Sequence, residues 1–222
     1  KASGLAKKLN CIFFTSANKI PVSSDVYLIA IKDDAIADVI KDLPPVKGIV
    51  AHTSGASPMN LLDKFANRGV FYPVETITMR YPRSFKKVPV CVEGSDEKTF
   101  RKLMSLANSI SNEIYALDSH QRATLHVAAV FANNFTNYLF GIAADILNRD
   151  HLPASLLKTL AQSTVSNAFE KGSYNSQTGP AVRNDTKTIN RHLKLLDKNK
   201  EYQKLYSLIK KKKKSVHNKE RQ

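Results

Sequence analysis

The sequence predicts an α/β domain built on a mainly parallel sheet, followed by an all-helical domain. Three observations carry this. Short apolar runs alternate with helix-like stretches over residues 1–118, the alternation that builds parallel sheets. Beyond residue 118 the strand signals stop and helical periodicity takes over. Hydrophobic residues make up 42% of the 222, which supplies a packed core and argues against a disordered chain.

A helix-like segment, 2–9, opens the chain. Residues 26–31 (VYLIAI) form a short, nearly all-apolar run, as expected of a parallel strand covered on both faces. Asp33 and Asp34 then offer N-capping carboxylates for a helix through Leu43, and Pro44-Pro45 ends it. Residues 48–52 read as the next strand, 53–58 as a turn, and 59–67 as a helix with Leu61, Leu62 and Phe65 inward. Strands are expected at 69–72, 88–92 and 113–117. Ser95-Asp-Glu-Lys98 reads as a capping box opening a helix through Ile110.

The second half begins with a long helical pattern over 122–148, with Leu125, Ala128, Ala132, Phe135 and Leu139 on an apolar face. Pro153 suits the first turn of a helix to about Lys171. Residues 172–180 form a loop, and 185–196 and 201–211 form two further helices. The expected domains are thus 1–118, 119–209 and a basic tail, 210–222.

The net charge is +15, and its placement matters. Residues 210–222 carry seven Lys/Arg against one Glu, the densest excess in the chain. Such a terminus is expected to be solvated and disordered, so nucleic acid is not the expected partner. No apolar run is long enough for a membrane helix, and residues 1–10 lack the apolar centre of a signal peptide. Cys11 and Cys91 stand at no metal or redox spacing, which fits a reducing, cytoplasmic setting.

One spacing points to chemistry. His126 and Asn133 lie seven residues apart among small and apolar neighbours, with Ala129 between them. On a regular helix they share a face with an offset of only ~20° and stand about 10 Å apart. An imidazole can manage one proton near neutral pH, and a carboxamide can hold a carbonyl or imine. These two are the candidate catalytic residues.

An open α/β sheet binds ligands beyond the carboxyl ends of its strands. Here those ends lead into Ile31, Lys32 and Asp33, and into Thr53, Ser54 and Gly55. Thr178-Gly-Pro180 with Arg183 and Asp185 forms a second constellation. Its arginine could hold a carboxylate or phosphate, or could form an ion pair, with Asp185 or between domains, that only shapes the loop. A dinucleotide-binding sheet normally opens with a strand, a glycine-rich turn and a helix. No Gly-x-Gly occurs and no strand signal precedes 2–9, so the sheet is expected to be N-terminally incomplete, without its first strand–turn–helix.

Residues 26–36 (VYLIAIKDDAI), His52-Thr-Ser-Gly55, Tyr72-Pro73 with Glu75-Thr76, 121–134 and Thr178-Gly-Pro-Ala-Val-Arg-Asn-Asp185 occur in that order. Together they resemble the Rossmann-like proteins assigned as NADP-dependent oxidoreductases that carry a C-terminal helical domain of unknown function. These are distant relatives of 6-phosphogluconate dehydrogenase and pyrroline-5-carboxylate reductase. The resemblance implies an NADP-binding domain, with NAD as the alternative, and a helical substrate and dimerisation domain, with the active site in the cleft between them. It implies hydride transfer to or from a small carbonyl or imine compound and a homodimer joined through the C-terminal helices. Ile31, Lys32, Asp33, Thr53 and Gly55 then fall on the cofactor side, and Ser54, Tyr72, Thr76, Thr178 and Arg183 on the substrate side. Tyr72 stands where relatives often have histidine. A non-catalytic nucleotide- or ligand-sensing module of the same fold is the competing expectation.

Overall fold

The computed structural model describes residues 2–77 and 84–219, with side chains as far as Lys212. The chain divides into two compact units, 1–135 and 136–222. By its contacts, the first part of the long 122–148 helical stretch belongs to the unit that holds the sheet.

In the first unit, helix α1 (Ala2–Leu9) leads to β1 (Val26–Ile29), α2 (Ile36–Asp42), β2 (Ile49–His52) and β3 (Arg68–Pro73). Then come β4 (Val90–Gly94), α3 (Glu97–Ile110), β5 (Ile114–Ala116) and α4 (Ser119–Ala129). The five strands lie in chain order, β1-β2-β3-β4-β5. Every neighbouring pair is parallel except β3 and β4, which run antiparallel with Tyr72 opposite Cys91. The sheet is therefore mostly parallel, as the alternation predicts.

Strand β2 shows why. All four of its residues are buried. Val50 faces one core with Tyr27, Ile29, Ile36, Ile40, Leu62 and Phe65. Ile49 and Ala51 face the other, with Phe71, Val90, Val92, Leu103 and Ala107. A strand covered on both sides has no need for polar alternation.

Several local expectations shift. Asp33 and Asp34 sit inside a 3-10 turn (Asp33–Ala35) that Lys32 precedes as N-cap, so the N-cap of α2 falls on Ala35, which has no polar side chain to make a capping bond. The helix expected at 59–67 shrinks to a 3-10 turn, Met59–Leu62. Leu62 and Phe65 are buried as expected, but Leu61 is exposed. The Phe65 N–H closes on the Leu62 carbonyl (2.9 Å) and the chain turns at once into β3, so tertiary pairing overrides helical propensity. The α3 cap is Asp96 rather than Ser95; its carboxylate accepts the Thr99 N–H.

The long helix of the second half is not a uniform α-helix. A reciprocal capping box, Asp118 with Gln121, opens α4. A π-helical segment, Val130–Phe135, follows and leads into α5 (Thr136–Asn148). Wider π turns break the α register, so the shared stripe assumed for His126 and Asn133 is interrupted between them.

The second unit holds α5, α6 (Lys158–Lys171), α7 (Thr186–Leu195) and α8 (Lys200–Lys219). Pro153 stands at the N-cap of a 3-10 turn, Ala154–Leu157, that enters α6. Within the unit Tyr202 donates to Asp145 (2.6 Å), and Tyr206 and His192 share a 2.9 Å hydrogen bond. Helix α8 continues through the lysine run to Lys219. Apolar periodicity ends earlier, but lysine is a good helix former and carries the backbone on. Residues 220–222 lie outside those described. No helix among the described residues is long and apolar enough to cross a membrane.

Candidate functional site

Parallel pairing puts Ile29 level with His52, so the loops leaving β1 and β2 emerge side by side at one edge of the sheet. Ile31, Lys32 and Asp33 follow β1 and are exposed. Thr53 follows β2 and is tied back by its N–H to the Ile29 carbonyl at 3.2 Å. Strand β3 reaches farther and carries Tyr72 past the end of β2.

The 52–58 loop is built from its own polar groups. The Ser54 N–H donates to His52 Nδ1 (3.2 Å), which forces the ring proton onto Nε2, 3.3 Å from the Pro58 carbonyl. The Ser54 hydroxyl accepts from Ala56 N–H (3.2 Å) and Ser57 N–H (2.9 Å). Gly55 is the one residue from 53 to 57 whose N–H finds no partner among the described residues.

His52 is fully buried. Burial, with the nearby Arg122 charge second, lowers its pKa to about 4. The unfolded chain takes up this proton near pH 6.5, whereas the folded chain resists it until about pH 4. Folding stability should therefore be complete above pH 6.5 and fall as pH drops toward 4, by roughly 3 kcal/mol. Urea unfolding at pH 7 and pH 4.5 measures this, and His52→Gln should flatten the slope.

Against this loop stands α4. A side chain at Gly55 would put its Cβ 2.5 Å from His126 Nδ1 and 2.7 Å from Tyr72 Cζ. Only a bare backbone fits there. The Tyr72 hydroxyl lies 3.4 Å from His126 Nδ1, with the rings edge to face at 6.2 Å. Burial raises the Tyr72 pKa above 10, so the hydroxyl keeps its proton at neutral pH and either donates to a bare Nδ1 or accepts from Nδ1–H, as the ring's protonation dictates. His126 Nε2 is then the nitrogen left for a ligand. Farther along, Asn133 Nδ2 donates to Thr76 Oγ1 at 2.8 Å, both residues being exposed. That leaves the carboxamide oxygen of Asn133 and the Thr76 hydroxyl hydrogen to act on a bound molecule.

Of the sequence-derived candidates, Ser54, Gly55, Tyr72 and His126 therefore meet, and Thr76 meets Asn133. Thr178 and Arg183 belong to the other unit. Both are exposed, on a segment turned by Gly179 at φ +102°. Asp185 does not pair with Arg183: its carboxylate caps α7, accepting the Thr188 N–H (3.0 Å) and hydroxyl (2.7 Å). The loop-shaping ion pair weighed for Arg183 is thus not formed with Asp185.

Sequence reasoning missed the group beneath the loop. Arg122, 1% exposed, makes a 2.7 Å ion pair with Glu93. Its Nε donates to the Ser54 carbonyl (3.2 Å), and its Nη2 donates to the Ser57 carbonyl. Ser119 Oγ donates to the Glu93 carboxylate (2.9 Å) and accepts the Met59 N–H (3.1 Å). Two signals were available. Glu93 is a charge ending an otherwise apolar strand, and Arg122 precedes His126 by one helical turn.

The family model described as a domain of unknown function, DUF2520, matches residues 88–213. A Bacteroides fragilis protein assigned as a putative NADP oxidoreductase is 30% identical, with a TM-score of 0.87; the match covers 96% of this chain and 84% of that one. A Thermotoga maritima protein is 23% identical (TM-score 0.77), with 100% and 88% covered. A reductive aminase from Aspergillus terreus, solved with NADPH and ethyl-5-oxohexanoate, shares the fold at 13% identity (TM-score 0.67), with 99% and 82% covered. No curated protein matches the chain.

Proposed function

We propose, for a chain that belongs to the DUF2520 family, an NADP-dependent oxidoreductase acting on a small carbonyl or imine compound. The observation that carries this is the convergence of Gly55, Tyr72 and His126 at the carboxyl edge of the parallel strands, where open α/β sheets bind their ligands. The 30% identical relative is assigned as an NADP oxidoreductase, which supports NADP as the cofactor, with NAD as the alternative.

The residues present fit the ribose and nicotinamide end of a dinucleotide, while the glycine-rich turn that would hold its pyrophosphate is not found in this sequence. The adjoining loops after β1 and β2 present Ile31, Lys32, Asp33 and Thr53, and Gly55 supplies an unpartnered N–H beside a surface that only glycine leaves open. When bound there, the nicotinamide supplies or accepts the hydride. The chain's own residues then orient the reacting carbon and handle one proton. His126, protonated on both ring nitrogens, delivers its Nε2 proton to the nitrogen or oxygen of the reduced bond and is left as the neutral ring. In that state Nδ1–H donates to the Tyr72 hydroxyl oxygen, which holds the ring and leaves Nε2 as the donating nitrogen. Asn133 and Thr76 hold the polar end of the substrate as charge develops. Ser54 shapes the same loop, and Thr178 and Arg183 are assigned to substrate binding, with Arg183 suited to an anionic group.

We assign the active form as a homodimer. Phe131 and Phe135 are exposed, and in the second unit so are Leu139, Leu156, Leu160, Val165 and Phe169, the last at 86%. Apolar surface on this scale calls for a covering partner, and a two-fold pair is the commonest solution. Light scattering at micromolar concentration should give twice the chain mass; a stable monomer would remove this assignment.

The test of function is NADPH oxidation by the whole protein, offered pyrroline and small ketones with and without ammonia. Binding of NADPH without turnover on any probe would favour the sensing module instead.

A further inference from the structure

We propose that Arg122 is a positioning residue for the reaction, acting through the 53–57 loop on the space beneath His126. The inference rests on the oxidoreductase reading above. Its basis is that one buried guanidinium spans three things at once. It reaches the Ser54 carbonyl through Nε, the Ser57 carbonyl through Nη2, and the Glu93 carboxylate through Nη1.

Those two carbonyls bracket Gly55. The loop's other amides are already engaged: Ser54 N–H by His52, and Ala56 and Ser57 N–H by the Ser54 hydroxyl. Thr53 ties the start of the loop to β1 and Met59 ties the residue beyond it to Ser119; between those points Arg122 fixes the loop from outside, through carbonyls that its internal bonds leave free. Gly55 leaves no room for a Cβ between itself and the His126 and Tyr72 rings, so a small drift of the loop changes where both rings can sit. Arg122 lies on α4 four residues before His126. The same helix thus carries the proton-handling group and the clamp that sets the surface it works against. Glu93, held by the Ser119 hydroxyl, anchors the clamp to β4. Residues held by such a supporting shell keep the geometry that turnover needs.

Arg122→Lys separates positioning from charge. It keeps a cation beside Glu93, but an ammonium cannot reproduce the planar fork that reaches both carbonyls. Native-state hydrogen exchange on the whole protein should show Ala56 and Ser57 amides exchanging about tenfold faster, while core amides such as Leu103 and Ala107 stay within about twofold. With NADPH and pyrroline, kcat should fall roughly tenfold to a hundredfold, with KM for NADPH within about threefold. In a His126→Ala background the same substitution should change the residual rate by less than about twofold, since coupled sites are not additive.

Glu93→Gln is the second variant. It keeps both carbonyl bonds and leaves an amide oxygen to accept from Nη1 and Ser119, so the loop amides should exchange far less fast than in Arg122→Lys. A folded Arg122→Lys protein with unchanged loop exchange, or with a kcat loss that adds fully to that of His126→Ala, overturns the proposal. So does Glu93→Gln if it frees the loop as much as Arg122→Lys is expected to, and this decides the matter if the lysine variant does not fold. If the loop responds as expected but no probe turns over, the oxidoreductase reading fails and the clamp geometry stands.

Discussion

Replacing His126 with alanine should lower kcat/KM roughly 10²- to 10⁴-fold, the range that general acid–base residues contribute. The protein should fold normally, because the imidazole is only partly buried and bonds only to Tyr72 at 3.4 Å. The loss should sit in kcat. The proposed mechanism places His126 at the reacting atoms and assigns the cofactor to the loops after β1 and β2, so the affinity for NADPH should change little. Asn133→Ala should cost about 10²-fold, as removal of one charge-stabilising donor does elsewhere. Steady-state kinetics on any accepted imine or ketone checks both. A His126→Ala protein that turns over like wild type removes the proton role assigned to that ring.

Gly55→Ala is the second large effect. The new methyl would stand 2.5 Å from His126 Nδ1 and 2.7 Å from the Tyr72 ring, distances no real contact sustains. Either the rings swing away or the loop lifts, and the loop is held through the carbonyls of Ser54 and Ser57. The rings are therefore expected to move. Stability should fall by about 1–3 kcal/mol, the usual cost of overpacking. Activity should fall much further, to near the level of His126→Ala, because Tyr72 no longer holds the imidazole through Nδ1. A thermal melt with kinetics separates the two effects. A Gly55→Ala enzyme with a lowered melting point and unchanged turnover would show that the ring pair is structural only.

The fold was legible where local chemistry decided it. The apolar run Val26–Ile29 is a strand and Asp185 ahead of a polar-apolar periodic stretch is a helix start, but the cover expected on both faces of β1 is not found, because it stands at the end of the strand order and Leu28 is 45% exposed. It was not legible where partners distant in sequence decided it. The antiparallel entry of β4 depends on its pairing with β3, and nothing in the residues of β4 states a direction. The 59–67 stretch has helical spacing, yet the pairing of Arg68 with Val50 pulls the chain into a strand. The π segment depends on backbone bonding that side-chain spacing does not encode.

The same division holds at the site. Spacing drew attention to His126 and Asn133, but not to their partners, Tyr72 and Thr76, 54 and 57 residues away. His52 read as the end of a strand. That it locks the neighbouring loop as a neutral ring follows only from burial and the Ser54 N–H. Arg122 looked like a polar residue starting a helix, and its ion pair with Glu93 bridges 29 residues.

The most direct measurement is NADPH consumption by the whole wild-type and His126→Ala proteins, offered pyrroline and small ketones, alongside calorimetric NADPH titration of both. Wild type should consume NADPH with at least one probe. His126→Ala should lose about a hundredfold or more of that rate while binding NADPH within about threefold of wild type. Equal turnover by both proteins, or firm NADPH binding with no turnover by either, would contradict the account.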